Sequence, residues 1–107
     1  MRLTRLRRER IRRESDQRRA WQVQDILVGC GLFQSGYGIA GGIKYHVPYV
    51  VSLDRGPPES LEIRILPGQM PNDYAAHAQR IAYNLRVNHV EVITLDEPYM
   101  IRLELYR

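Results

Sequence analysis

A chain of 107 residues with 44% hydrophobic content has room for one domain with a modest core, mainly aliphatic because aromatics make up only 8%. No run approaches the ~18–20 apolar residues of a membrane span, and the arginine-rich start lacks the apolar stretch of a secretory signal. A single cysteine, Cys30, excludes an internal disulfide and any cysteine-based zinc site within one chain, which predicts a reducing, cytoplasmic setting.

The charge is divided unevenly. Residues 1–19 hold nine arginines against Glu9, Glu14 and Asp16, a net of +6, whereas the other 88 residues hold seven basic and nine acidic groups, a net of −2. The chain therefore reads as a slightly acidic domain behind a basic leader. Residues 1–20 form that leader, helical or mobile: Glu9 with Arg13 and Glu14 with Arg18 are favourable acid-then-base pairs at i,i+4, but Leu3, Leu6 and Ile11 make no continuous stripe. Residues 21–107 read as a single α+β domain.

Trp21 at the junction is expected to anchor the leader. Val23, Ile26, Leu27 and Cys30 then recur at i, i+3, i+4, i+7, a short helical face that Gly29 and Gly31 can stop. Residues 34–44 read as a glycine-rich loop. Val47, Tyr49, Val51 and Leu53 alternate as the inward face of a strand, and the turn Asp54-Arg55-Gly56-Pro57-Pro58 follows. Leu61, Ile63 and Ile65 alternate with Glu62 and Arg64 as a half-buried strand.

The stretch Leu66-Pro67-Gly68-Gln69-Met70-Pro71-Asn72-Asp73 ends that strand and starts a helix over 71–86. Tyr74, Ala78, Ile81, Ala82 and Leu85 share its apolar face. Val90 and Val92, then Ile101, Leu103 and Leu105, mark two more strands around an Asp96-Glu97-Pro98 turn. The expected architecture is a two-layer α+β sandwich: a four-stranded, mostly antiparallel sheet in the order β-β-α-β-β, one packed helix, and an N-terminal basic helix.

Several of these segments also carry a family likeness: Trp21 ahead of Gly29-Cys30-Gly31-Leu32, Pro48 opening a strand, Gly56-Pro57, the run Leu61–Gln69, Ile81-Ala82, Val90-Glu91-Val92 and Ile101–Leu105. Together, over roughly residues 21–106, they resemble the segment preceding the motor in actinobacterial FtsK/SpoIIIE-type DNA translocases, including those of conjugative elements. The likeness to the α subdomain of the chromosomal translocases is more distant. The resemblance implies a setting of DNA transfer or segregation, a ring-forming partner and a cytoplasmic location.

The family's motor needs a glycine-rich phosphate loop ending Gly-Lys-Ser/Thr and an acidic strand end that helps to hold magnesium. The only lysine here is Lys44, and no Gly-Lys-Ser/Thr occurs. No catalytic residue is carried over, and no cofactor or metal is expected. The chain corresponds either to a piece of a longer motor protein or to a free-standing pre-motor domain.

Other candidate motifs have bland readings. Gly36-Tyr37-Gly38-Ile39-Ala40-Gly41 matches G-x-G-x-x-G, but a dinucleotide site needs that motif between a strand and a helix, so a loop is expected. His46, His77 and His89 lack the spacing of a helical metal site. Asp96-Glu97 reads as a solvated turn. Cys30 reads as a small packed side chain, and Glu62, Arg64, Arg102 and Glu104 as cross-strand charges on the open sheet face.

The candidate nucleic-acid contacts are Arg2, Arg5, Arg7, Arg8, Arg10, Arg12, Arg13, Arg18 and Arg19, because clustered cations suffice to bind phosphates. A solvated or inter-subunit tail and an anionic membrane surface are the other readings of the leader. Two functions follow. One is a non-catalytic module related to DNA translocases, contributing to assembly, with a homo-oligomer as one form, and to non-specific contact with double-stranded DNA. The other is a small mobile-element or phage factor that docks on a host translocase or cell-division protein without touching DNA.

Overall fold

The structure, a computed structural model, describes residues 14–37 and 41–107. Its elements are α1 (Glu14–Gly29), β1 (Gln34–Tyr37), β2 (Ile43–His46), β3 (Tyr49–Asp54), β4 (Glu59–Arg64), α2 (Pro71–Ala75), α3 (Ala78–Leu85), β5 (His89–Thr94) and β6 (Met100–Tyr106). Four strands form an antiparallel sheet in the order β3-β4-β6-β5, so the α2–α3 connection carries the chain past β6 to the far edge. The α+β class and the four-stranded antiparallel sheet agree with the pattern of the sequence. Among the described residues, no helix is long and apolar enough to cross a membrane.

Alternation builds the core. Leu61 and Ile63 of β4, Ile101, Leu103 and Leu105 of β6, and Val90 of β5 are buried beneath Val23 and Leu27 of α1 and Ile81, Ala82 and Leu85 of α3. Helix α1 lies over β3 and touches α3, and α2 and α3 lie over β5. Full burial of an aliphatic side chain contributes about 1.5–3 kcal/mol before the entropy of ordering the chain is charged against it.

Both long helices end in the same motif. In α1, Leu32 N–H donates to Leu27 O at 3.0 Å and Gly31 N–H to Val28 O at 2.9 Å, with Gly31 at φ 84°. In α3, Val87 N–H donates to Ala82 O at 3.0 Å and Arg86 N–H to Tyr83 O at 3.2 Å, with Arg86 at φ 59°. Each is a left-handed cap that satisfies orphan carbonyls. The first uses glycine as the sequence leads one to expect, and the second places an arginine there.

Between β4 and α2, Pro67 and Gly68 make the turn closed by Gln69 N–H to Leu66 O at 3.0 Å, with Gly68 at φ 86°. The Gln69 side chain then turns back. Its Oε1 accepts from Leu66 N–H at 2.9 Å and from the Tyr74 hydroxyl at 2.6 Å. Asp73 accepts from Met70 N–H at 2.8 Å, supporting the first turn of α2.

Four expectations are corrected. Val47 and Tyr49 face outward and Val51 is half-buried, because the β3–β4 register shifts between Val50 and Ser52. That bulge lets Val50 and Leu53, three residues apart, both pair with core positions, Ile63 and Leu61. The glycine-rich loop contains a second, two-stranded sheet, with β1 and β2 paired antiparallel. The helix over 71–86 is divided at Ala76-His77 with no proline or glycine to mark the break. Trp21 is 60% exposed rather than packed into the domain.

Candidate nucleic-acid interface

Among the described residues, a cluster of charges forms where Asp16 and Arg19 of α1 meet Arg55, Glu59 at the start of β4, and Arg107. Strand parity puts Glu59 on the same face as Leu61 and Ile63, so its carboxylate is carried under the helix and buried. An unpaired carboxylate there would be costly. Arg19, one turn after buried Asp16, answers it with two parallel bonds: Nε donates to Oε2 at 2.9 Å and one terminal nitrogen to Oε1 at 3.0 Å. The guanidinium of Arg55 reaches Oε2 at 3.7 Å, and that of Arg107 reaches Oε1 at 3.5 Å.

Asp16 serves Arg55 in the same way. Arg55 Nε donates to Asp16 Oδ1 at 3.0 Å, and a terminal nitrogen donates to Ser15 O at 3.3 Å. Two buried carboxylates therefore orient arginines contributed by α1, the β3–β4 turn and the end of β6. Above them is a hollow of about 410 Å³ lined by Ser15, Arg18, Arg19, Gln22, Arg55 and Arg107. The side chains of Arg18 (68% exposed), Arg55 (50%) and Arg107 (72%) stay open to solvent. Among the described residues, no acidic side chain lines this hollow, although Glu14 pairs with Arg18 at 3.1 Å nearby.

Of the nine leader arginines, Arg2, Arg5, Arg7, Arg8, Arg10, Arg12 and Arg13 lie outside the described residues. Arg18 faces the hollow. Arg19 lines it too, but its guanidinium is held by Glu59 and by Gln22 Oε1, to which it donates at 2.8 Å. Arg55 and Arg107 escaped the sequence reading because they stand alone in a turn and a strand end. The usable signal was Glu59 itself, an acid at a core-facing strand position, which demands a cation from elsewhere in the fold.

The remaining motifs do not converge. Gly36 lies in β1 and Gly41 just before β2, strand on both sides rather than strand then helix, and residues 38–40 lie outside the described residues. No three His, Cys, Asp or Glu residues form a metal-binding group among the described residues. His89 stands near Tyr106, with ring centroids 6.0 Å apart, and His46 is exposed. Burial raises the Cys30 thiol above its ordinary pKa, with Arg80 pulling the other way. On the open sheet face Arg102 bridges Glu62 at 3.3 Å and Glu104 at 3.9 Å.

No protein-family model matches this chain, and a search of curated proteins found none similar to it.

Proposed function

We propose that this protein is a non-catalytic, cytoplasmic module that contacts DNA phosphates without sequence preference, in the setting of FtsK/SpoIIIE-type DNA transfer or segregation. The observation that carries the DNA contact is the arginine-lined hollow with its carboxylates buried beneath it. Asp16 and Glu59 neutralise part of the charge, but they also hold the guanidinium groups in place, so less ordering entropy is lost when an anion arrives. Arg18, Arg55 and Arg107 keep exposed donors, and the chain leads from this hollow into the arginine-rich residues 1–13.

Non-specific binding of this kind needs neither a base-reading helix nor a motif, only cations that displace condensed counterions. The translocase setting rests on the likeness of residues 21–106 to the pre-motor segment. In it the sheet domain would serve assembly, and the basic end would hold the duplex. Fluorescence anisotropy with a labelled duplex over a salt series tests the contact. About five neutralised phosphates give a slope of log affinity against log salt near −4 to −5. Binding that is absent, or insensitive to salt, overturns the proposal.

One observation favours the second reading, docking on a translocase or cell-division protein without DNA. Phe33, Ile43, Tyr45 and Val47 are all exposed on or beside the β1–β2 pair, and the rings of Phe33 and Tyr45 stand 6.1 Å apart. A partner retained from a nuclease-treated host lysate by the wild-type protein, and lost with Tyr45→Ser, supports that reading.

A further inference from the structure

The arginine-lined hollow has a neighbour with a different character. A second hollow, of about 540 Å³, shares Arg55 and Arg107 with the first and is otherwise lined by Gly56, Pro57, Pro58, Glu59, Leu105 and Tyr106. Its size is within the range of small-ligand pockets, and its lining joins apolar proline rings to two guanidinium groups. The pair of hollows thus offers a cationic compartment and an apolar compartment side by side, with the same two arginines serving both.

This combination matches one nucleotide better than it matches a run of duplex backbone. A phosphate satisfies the guanidinium groups, but the apolar compartment has use only for a flat, weakly polar group attached to it. In a duplex every base is paired and stacked, and only phosphates and groove edges are presented. An unpaired base can leave the stack and lay its face on a guanidinium plane, and proline rings offer it an apolar surface. A single phosphorylated side chain would also fill the cationic compartment. The arginines spread over residues 1–19, however, suit a polyanion that continues beyond one phosphate.

We infer that the joined hollows receive one unpaired nucleotide of a DNA strand, its phosphate held by Arg55 and Arg107 and its base lying against Pro57 and Pro58. The inference rests on the DNA reading above and makes it more specific. Asp16 and Glu59 hold Arg55, and Glu59 also reaches Arg107. Because every base has a flat face, the site takes any sequence.

The test compares a labelled 15-nucleotide dT strand with a 15-base-pair duplex, by anisotropy on the 107-residue protein at one salt concentration. Charge alone favours the duplex, which carries more phosphates and releases more counterions. Seating one base is expected to favour the single strand by about 5-fold, the low end of what a base gains by stacking on an aromatic ring. A second arm places 4-thiothymidine in the dT strand, irradiates, and maps the crosslinks by mass spectrometry.

Tighter single-strand binding with crosslinks at residues 55–58 or 105–107 supports the inference. A duplex bound as tightly as the strand, or crosslinks confined to other residues, overturns it and leaves salt-dependent duplex binding intact. A phosphotyrosine peptide bound more tightly than either nucleic acid also overturns it. Loss of both nucleic acids would bring down the DNA reading together with the inference.

Discussion

Arg19 and Glu59, forty residues apart, meet in a two-pronged ion pair at 2.9 and 3.0 Å beneath the surface of the domain. This contact joins α1 to the central strand β4. It also separates two kinds of arginine that look identical in sequence. Arg19 is only 12% exposed and works within the fold, whereas Arg18 beside it is open to solvent.

Breaking that pair from the arginine side leaves a carboxylate under the helix. Arg19→Ala is expected to destabilise the domain by about 2–4 kcal/mol, moderated by Arg55 and Arg107 nearby. Arg18→Ala, which removes an exposed i,i+4 pair, is expected to cost about 0.5 kcal/mol or less. Urea unfolding followed by circular dichroism separates the two. Equal effects would show that Glu59 is not buried against Arg19.

The two helix caps give a prediction with opposite signs. Gly31→Ala forces a side chain into a left-handed cap and should cost about 1 kcal/mol, while Arg86→Gly relieves the same strain and should stabilise by about 0.5–1 kcal/mol. Thermal or urea midpoints moving in opposite directions meet the expectation. A shift in the same direction would contradict the cap geometry at one of the two sites.

Gln69 ties the turn to α2 through a single oxygen. Gln69→Ala leaves Leu66 N–H and the hydroxyl of fully buried Tyr74 without that acceptor, at a cost of about 2 kcal/mol. Tyr74→Phe should cost about 1 kcal/mol. In a double-mutant cycle the double variant should cost less than the sum of the two single changes, because the hydroxyl matters less once Gln69 is gone. Strict additivity of the two substitutions would rule out the bond.

Cys30 offers a pH-dependent readout. Burial raises its thiol, so the reactive thiolate appears only at more alkaline pH than for a free cysteine. Alkylation by iodoacetamide should be slow at neutral pH, with a rate profile displaced upward relative to a model thiol. A profile displaced downward would mean that Arg80 outweighs burial.

The sheet and its helical cover were legible because they depend on local patterns: alternation at Leu61–Ile65 and Ile101–Leu105, and helical spacing at Val23–Cys30 and Tyr74–Leu85. The faces of β3 were not. Counting by twos along Val47–Leu53 assumes an unbroken ladder, and the register shift at Val51 reverses parity partway along it. The β1–β2 pair was missed because Gln34-Ser35-Gly36 shows neither alternation nor β-branched residues. The arginine-lined hollow was only half visible: Arg18 and Arg19 lie in a charge run, whereas Arg55 and Arg107 join them through folding alone.

The central claim is that the arginines of the hollow hold phosphates, and the salt dependence of duplex binding tests it most directly. Arg18 and Arg107 both line the hollow and are the two most exposed of its arginines, so the Arg18→Ala/Arg107→Ala double variant can lose contacts while keeping its fold. The plot of log affinity against log salt should become shallower by about 1.8, some 0.9 for each lost contact. An unchanged slope in a folded double variant would show that the phosphates lie elsewhere.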